Sequence, residues 1–431
     1  MKTRFAFGRQ GIEVSFPDGF QYQEIRSREA PPLQDVQAAI RAAIDHPIGC
    51  EPLSAIAAGK NSAAISVCDI TRPAPNALTL PPLLNTLLDA GIHRESITIF
   101  IATGLHRPAS QEEIDRILGP QIASTYRVVN HNAKALEEHR PLGSTRRGTP
   151  VYIDDRFMAA DLHITVGFIE QHLMLGFSGG RKLIVPGLAA QETIKVIHSP
   201  RFIREPLATE GSIAGNPLHE ELIEIASMAR HDFILDVTLT QSREISAVFA
   251  GDPLAAHAAG VQWLQTTSLE RLPEPADAVV TSAAGYPLDL TFYPTAKGIT
   301  AAQHVVKPGG AILLLAECAE GIGSPEFARK LAAFPGYQEY LDEIADTPVE
   351  IDQWQLEKLA LTGLQQKLVF YTPGIARAQL GVLGVHAFNN LDEAVACLLE
   401  GLPAGARVAL IPEGPYTFAQ ANQPRNRSPL G

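Results

Sequence analysis

Apolar positions along this chain fall into two alternating patterns. Short unbroken apolar runs, SAAISVCD (Ser62–Asp69), SITIFIATG (Ser96–Gly104) and ADLHITVGFI (Ala160–Ile169), read as strands buried on both faces. Between them PPLLNTLLDAG (Pro81–Gly91) and QEEIDRILG (Gln111–Gly119) carry helical spacing and end on glycine. Strand–helix alternation predicts a mainly parallel sheet with helices on both faces. Ahead of it, RFAFG and GIEVSF alternate around Arg9-Gln10 and predict a β-hairpin, and Leu33–Asp45 predicts a helix. After it come a helix over Asn216–Ala229, an antiparallel pair FILDVTLT/EISAVFAG and a helix over Asp252–Gln265.

The pattern breaks at SLERLPEPA (Ser268–Ala276), which is charged and proline-containing and reads as a linker. It then restarts with strand DAVVTSAAG, loop GYPLDLTFYPTAKG, helix ITAAQHVV, turn KPGG and strand AILLLAE. Helices over 326–346 and 354–366, strands KLVFYTP and LGVLGV, helix LDEAVACLLEG and strand RVALIPEG follow. The expectation is α/β with two domains, each a mainly parallel sheet flanked by helices, and an active site in the interdomain cleft. The boundaries are 1–270 for an N-terminal catalytic domain, 271–415 for a C-terminal domain and 416–431 for a polar tail.

The length of 431 residues agrees with two cores rather than one. The formal charge of −12 argues against nucleic acid and anionic membrane as partners, since both need a basic footprint. No apolar run is long enough to span a bilayer, and MKTRFAFGRQ lacks the apolar stretch of a signal peptide. Cys50, Cys68, Cys318 and Cys397 are scattered and form no CxxC pair, which suits reduced, buried thiols and a cytoplasmic protein.

In parallel sheets ligands bind beyond the carboxyl ends of the strands. Here those ends carry Asp69-Ile70-Thr71-Arg72, Gly104-Leu105-His106-Arg107 and Glu170-Gln171-His172, so three strands deliver ionisable residues to one edge. The third runs into GFIEQHLMLGFSGGRKLIVPGLAAQETIKVIH (Gly167–His198), which places His172, Lys182 and His198 around a glycine-rich turn. A phosphate-loop reading fails, because Arg181 precedes the lysine and Leu183 stands where Ser or Thr must hold magnesium. The glycine turn reads instead as room for a planar cofactor. His106 and His172 at separate strand ends suit a two-base arrangement, while His163, His219 and His304 read as structural. Arg72 suits recognition of a carboxylate or phosphate. In the second domain Tyr293 and Lys297 sit before a helix, where the lysine could meet a substrate carboxylate.

In this order, DITRP, TGLHRP, GFIEQHLMLGFSGGRK, VIHSP, TFYPTAKG and VKPGGAILLLAEC resemble the nickel-pincer lactate racemase family, over about residues 5–415. The resemblance implies a nickel-pincer nucleotide, a pyridinium-3,5-bisthiocarboxylic acid mononucleotide carrying Ni, joined as a thioamide to Lys182. It implies His198 as the protein's nickel ligand, Asp69-Ile70-Thr71-Arg72 as the turn holding the nucleotide, and His106 and His172 as paired proton donors and acceptors. It puts Tyr293, Lys297 and Trp354 near the substrate, with Arg72 and Lys297 on its carboxylate. Proteins that make the cofactor would be transient partners, and the substrate would be a small 2-hydroxy acid.

The pattern departs from the family at one position. Its lactate racemases carry glutamine after the matched tyrosine, whereas this chain has Pro294 and then Thr295. Proline offers neither a side-chain donor nor an N–H, which counts against lactate. The wider family acts on malate, aromatic and sugar acids. The implied reaction is racemisation or epimerisation by hydride transfer through a 2-keto acid. Two alternatives stay open: a zinc hydrolase built on His106, His172 and His198, without the tight HExxH spacing, and a non-catalytic ligand-binding protein.

Overall fold

The computed structural model describes residues 1–422, and the chain divides into two compact units, Glu29–Thr267 and a second made of Met1–Arg28 with the chain from Ser268 onward. This differs from the expected division in the first 28 residues. Gln21–Glu24 is an edge strand, parallel to Arg407–Ile411, and the hairpin Lys2–Phe5/Ile12–Ser15 buries Phe5, Val14 and Phe16 against that sheet. Hydrophobic alternation predicts such a hairpin but not which sheet its apolar face covers.

The Glu29–Thr267 unit is built on six strands, in the order Ile245–Gly251, Phe233–Leu239, Leu162–Phe168, Ala63–Cys68, Ile97–Ala102 and Arg127–Asn130. All neighbours are parallel except the first pair, which is antiparallel as the sequence predicts. The central strands Ala63–Cys68 and Leu162–Phe168 are buried at every position, which accounts for their unbroken apolar runs. Ile65, Ile99 and Ile164 pack with Leu80, Leu83 and Leu87 of the helix Asn76–Asp89. That helix starts five residues before the predicted Pro81, because Thr79 and Leu80 continue its buried face and Pro81 and Pro82 lie inside it.

The other unit has a second six-stranded parallel sheet, in the order Ala387–Phe388, Lys367–Tyr371, Val306–Leu315, Ala276–Ser282, Arg407–Ile411 and Gln21–Glu24. The expected linker is not a free tether. Glu270–Leu272 pairs in parallel with Ala419–Ala421, which also ties down the start of the expected polar tail; Gln423–Gly431 lie outside the described residues. The predicted helix 326–346 is two, Pro325–Ala332 and Tyr337–Glu343, interrupted at Phe334-Pro335-Gly336. Among the described residues no helix is long and apolar enough to cross a membrane, and all four cysteines are free, Cys68 and Cys318 buried and the other two half-buried.

Candidate active site

Because their strands run parallel, Cys68, Ala102 and Phe168 end at the same edge of the sheet. Asp69 follows Cys68 directly and is buried, yet it remains a carboxylate with two close partners. Its Oδ2 lies 2.6 Å from His106 Nδ1, and its Oδ1 accepts the Thr71 hydroxyl at 2.6 Å. Burial pushes the Asp69 acid up, but the bonds from His106 and Thr71 and the charge of Arg72 prevail and hold it below the usual carboxylate range. A carboxylate only accepts, so Nδ1 of His106 carries the proton and the lone pair is on Nε2. The His106 ring is half exposed while Asp69 is not, so the base faces out and its anchor stays dry.

The lysine turn is fixed from beneath. Gly180–Leu183 forms a single 3-10 turn; Ser66 of the central strand donates its hydroxyl to Leu183 O at 2.7 Å, and Asp236 Oδ2 accepts Gly180 N–H at 2.8 Å. Gly104 N–H, two residues before His106, donates to Gly187 O at 3.0 Å and stitches the histidine turn to the lysine segment. The glycines do not provide room for a cofactor. A Cβ on Gly179, at φ +85°, would lie 2.6 Å from Asp236 Oδ2, and one on Gly176 would lie 2.0 Å from Ser212 O. The protein itself fills that space, and the glycines let the turn seat on Asp236.

His198 caps the C-terminus of the helix Gln191–Ile197, where its Nδ1 lies 2.8 Å from Ile194 O. The carbonyl can only accept, so Nδ1 is protonated and the basic nitrogen is Nε2. Desolvation, with the nearby Lys182 charge adding to it, pushes this imidazole down to about 4, so it is neutral at neutral pH. His172 sits on the two-residue ribbon Gln171–His172/Gly176–Phe177. Its Nδ1 accepts the Met174 and Leu175 N–H groups, each at 3.3 Å. Ile70 packs its side chain against the core.

The structure thus gathers Asp69, Thr71, Arg72, His106, Lys182 and His198 at the end of one sheet. The Cys68 thiol registers the same grouping: burial and the Asp69 charge push it up to about 12 against the opposing charges of Arg72 and Lys182. Tyr293, Lys297 and Trp354 belong to the other unit. Tyr293 and Pro294 lie in a turn Tyr293–Thr295, Lys297 in the helix Ala296–Gln303 and the buried Trp354 in the helix Gln353–Gly363. Thr295, beside Pro294, is buried and its hydroxyl donates to Phe292 O at 2.6 Å.

Sequence reasoning missed two residues here. Asp236 lay within an apolar strand, and Arg181 registered only as a mismatch to a phosphate loop. The signal for the first was a lone carboxylate in FILDVTLT, which in a buried strand demands a donor. The zinc alternative finds no support. Among the described residues no group of three or more His, Cys, Asp or Glu is placed to hold a metal.

Comparison with known proteins identifies the family. Residues 7–211 match the family model of the lactate racemase N-terminal domain, and 272–417 that of the lactate racemase C-terminal domain. The chain belongs to the lactate racemase family. It is 32% identical to a lactate racemase of Thermoanaerobacterium thermosaccharolyticum over 413 residues, covering 95% of this chain and 96% of the relative. It is also 32% identical to a lactate racemase of Lactiplantibacillus plantarum, covering 88% of this chain and 89% of the relative. The solved lactate racemase apoprotein from T. thermosaccharolyticum superposes with a TM-score of 0.88 at 29% identity, covering 97% of this chain and all of that one. A Thermotoga maritima protein, at 16% identity and TM-score 0.66 over 92% of this chain and all of that one, shares the fold.

Proposed function

We propose that this protein is an isomerase that racemises or epimerises a small 2-hydroxy acid other than lactate, using a nickel-pincer nucleotide attached to Lys182. One observation carries the reading: His198, neutral and with its tautomer set by Ile194 O, lies within electrostatic reach of Lys182. That donor set fits the cofactor. A neutral imidazole with a carbonyl-fixed tautomer suits nickel, and the absence of a three-donor protein cluster among the described residues suits a metal whose other ligands come with the cofactor.

When bound, the nickel-pincer nucleotide supplies a hydride acceptor for Cα, so the substrate passes through a planar 2-keto acid instead of a carbanion. The chain's residues do the rest. Nε2 of His106 takes the hydroxyl proton of one stereoisomer, while ionised Asp69 balances the imidazolium that forms. His172 serves the hydroxyl of the other stereoisomer, which points elsewhere. Arg72 holds the carboxylate electrostatically. Lys297 assists it, with Tyr293 and Trp354 shaping the substrate's surroundings; these three assignments rest on the resemblance. The backbone of Asp69–Arg72 holds the nucleotide part. Pro294 and the internally bonded Thr295 remove a polar substrate contact, which favours an acid other than lactate. The protein works in the cytoplasm, where proteins that make the cofactor load it transiently.

The test is the intact mass of the Lys182 peptide from a host that makes the cofactor. A mass increase matching the thioamide-linked nucleotide, lost in Lys182→Ala, is expected; an unmodified lysine in fully active protein overturns the cofactor assignment. His106→Ala and His172→Ala should each abolish turnover of a 2-hydroxy-acid panel while nickel is retained.

A further inference from the structure

A cavity of about 850 Å³ lies inside the Glu29–Thr267 unit, between the helices Pro217–Met228 and Pro253–Thr267 and the segment Gly211–Ala214. Its wall includes Arg181, His219, His231 and His257. None of these takes part in the chemistry described above. The size is that of a pocket for a small organic ligand.

Arg181 is 4% exposed, and its Nε has no hydrogen-bond partner. Its terminal nitrogens bond only neutral groups: the carbonyls of Leu175, Phe177 and Gly179, and Nε2 of His257 at 2.8 Å. That His257 nitrogen also lies 2.8 Å from Ser178 O, so it can serve the guanidinium or the carbonyl but not both. His219 stacks on His257, with ring centroids 6.2 Å apart, and its buried Nδ1 is likewise unpartnered.

Neither Asp236 nor Asp252 neutralises this cluster. Asp236 acts on Arg181, but burial pushes its acid up to about 7 and its Oδ2 already holds Gly180 N–H. Asp252, on the wall, caps its own helix by accepting Leu254 and Ala255 N–H. A buried guanidinium whose hydrogen bonds all go to neutral groups is costly, and an anion in the cavity would relieve that cost. Much of the remaining wall is apolar, with Ile213, Ile223, Ala226, Leu254 and Val261. That composition suits an organic acid with a hydrocarbon body better than inorganic phosphate.

We propose that this cavity is a second ligand site, taking a small carboxylate with an apolar tail whose head meets Arg181 and His219. Arg181 and Lys182 are consecutive in one 3-10 turn. An occupant would therefore hold the turn that presents Lys182 at the sheet edge.

Titration calorimetry of the full chain with hexanoate, hexan-1-ol and inorganic phosphate tests this. One hexanoate per chain is expected, with no heat from hexanol or phosphate at the same concentration. Arg181→Gln should weaken hexanoate about tenfold or more. Ala258→Trp, at an exposed position on the cavity wall, should abolish binding without disturbing the core. Arg72→Ala, at the sheet edge, should leave it intact. No hexanoate binding up to about 10 mM overturns the proposal. So does binding that survives Ala258→Trp, that is lost in Arg72→Ala, or that hexanol or phosphate matches. If Arg181→Gln fails to fold, the Ala258→Trp and Arg72→Ala pair decides.

Discussion

Asp69→Asn separates a positioning carboxylate from a merely polar one. The substitution keeps side-chain volume, so the buried site should fold. It removes the charge that meets His106 Nδ1 at 2.6 Å while leaving a group able to bond Thr71. A charge-assisted hydrogen bond contributes about 1.5–3 kcal/mol. The His106 ring is 53% exposed and Asp69 7%, so solvent screening discounts that to about 1–2 kcal/mol. That alone lowers kcat/KM about 5- to 30-fold. If the new amide donates to Nδ1, the ring proton moves to Nε2 and the base is lost; the equivalent tautomer error in a serine protease triad costs about 10⁴ in kcat. The assay is chiral chromatography of both interconversions on the best acid from a panel, with nickel content and a thermal melt of the same preparation. Because the equilibrium constant of the reaction cannot change, kcat/KM must fall by the same factor in both directions. Wild-type kcat/KM would refute the dyad. A fall matched by equal loss of nickel would also refute it, since Asp69 would then be holding the nucleotide instead of orienting His106.

Three other outcomes follow from named contacts. Burial pushes Asp236 up to about 7 when folded, against about 4 unfolded. Between those values the unfolded chain releases a proton that the folded one keeps, so stability falls by about 1.4 kcal/mol per pH unit. Denaturant melts from pH 4 to 8 should show this slope, flattened in Asp236→Asn; equal slopes would remove the assignment. Gly179→Ala places a Cβ 2.6 Å from Asp236 Oδ2 at φ +85°, which should cost about 2–4 kcal/mol and is read from the urea midpoint. Pro294→Gln supplies the side-chain amide that proline lacks, and should raise kcat/KM on lactate about tenfold relative to the wild-type protein's best acid.

The strand ends were legible because two unmistakable patterns met there. Buried parallel strands read as unbroken apolar runs, and the first polar residues after Cys68 and Ala102 had to face a solvent edge. That places Asp69 and His106 near one another, but the bond between them depends on two turns meeting, which no spacing encodes. The glycine turn was misjudged for a related reason. Sequence shows where a Cβ is missing, not what occupies its place, and here Asp236 and Ser212 do. The hairpin Lys2–Ser15 showed its alternation but not its sheet, because any apolar surface would satisfy it. Arg181 was passed over since charge in a turn normally means exposure, and only packing shows it to be buried.

The two histidines proposed as acid and base are held in opposite states. His106 donates its Nδ1 proton to a carboxylate, so Nε2 carries a lone pair ready to accept. His172 accepts two backbone N–H groups at Nδ1, and those donors cannot reverse, so a neutral ring carries its proton on Nε2. Catalysis in both directions needs one group that takes a proton and another that gives one. A neutral His172 that gave up its Nε2 proton would be left as an imidazolate, so His172 gives a proton only as an imidazolium, with Nδ1 protonated as well. One stereoisomer requires His172 to act as the base through Nε2. Its ring proton must then move to Nδ1, which breaks both bonds to the ribbon turn. Either role of His172 therefore carries the work of breaking the Met174 and Leu175 bonds at Nδ1.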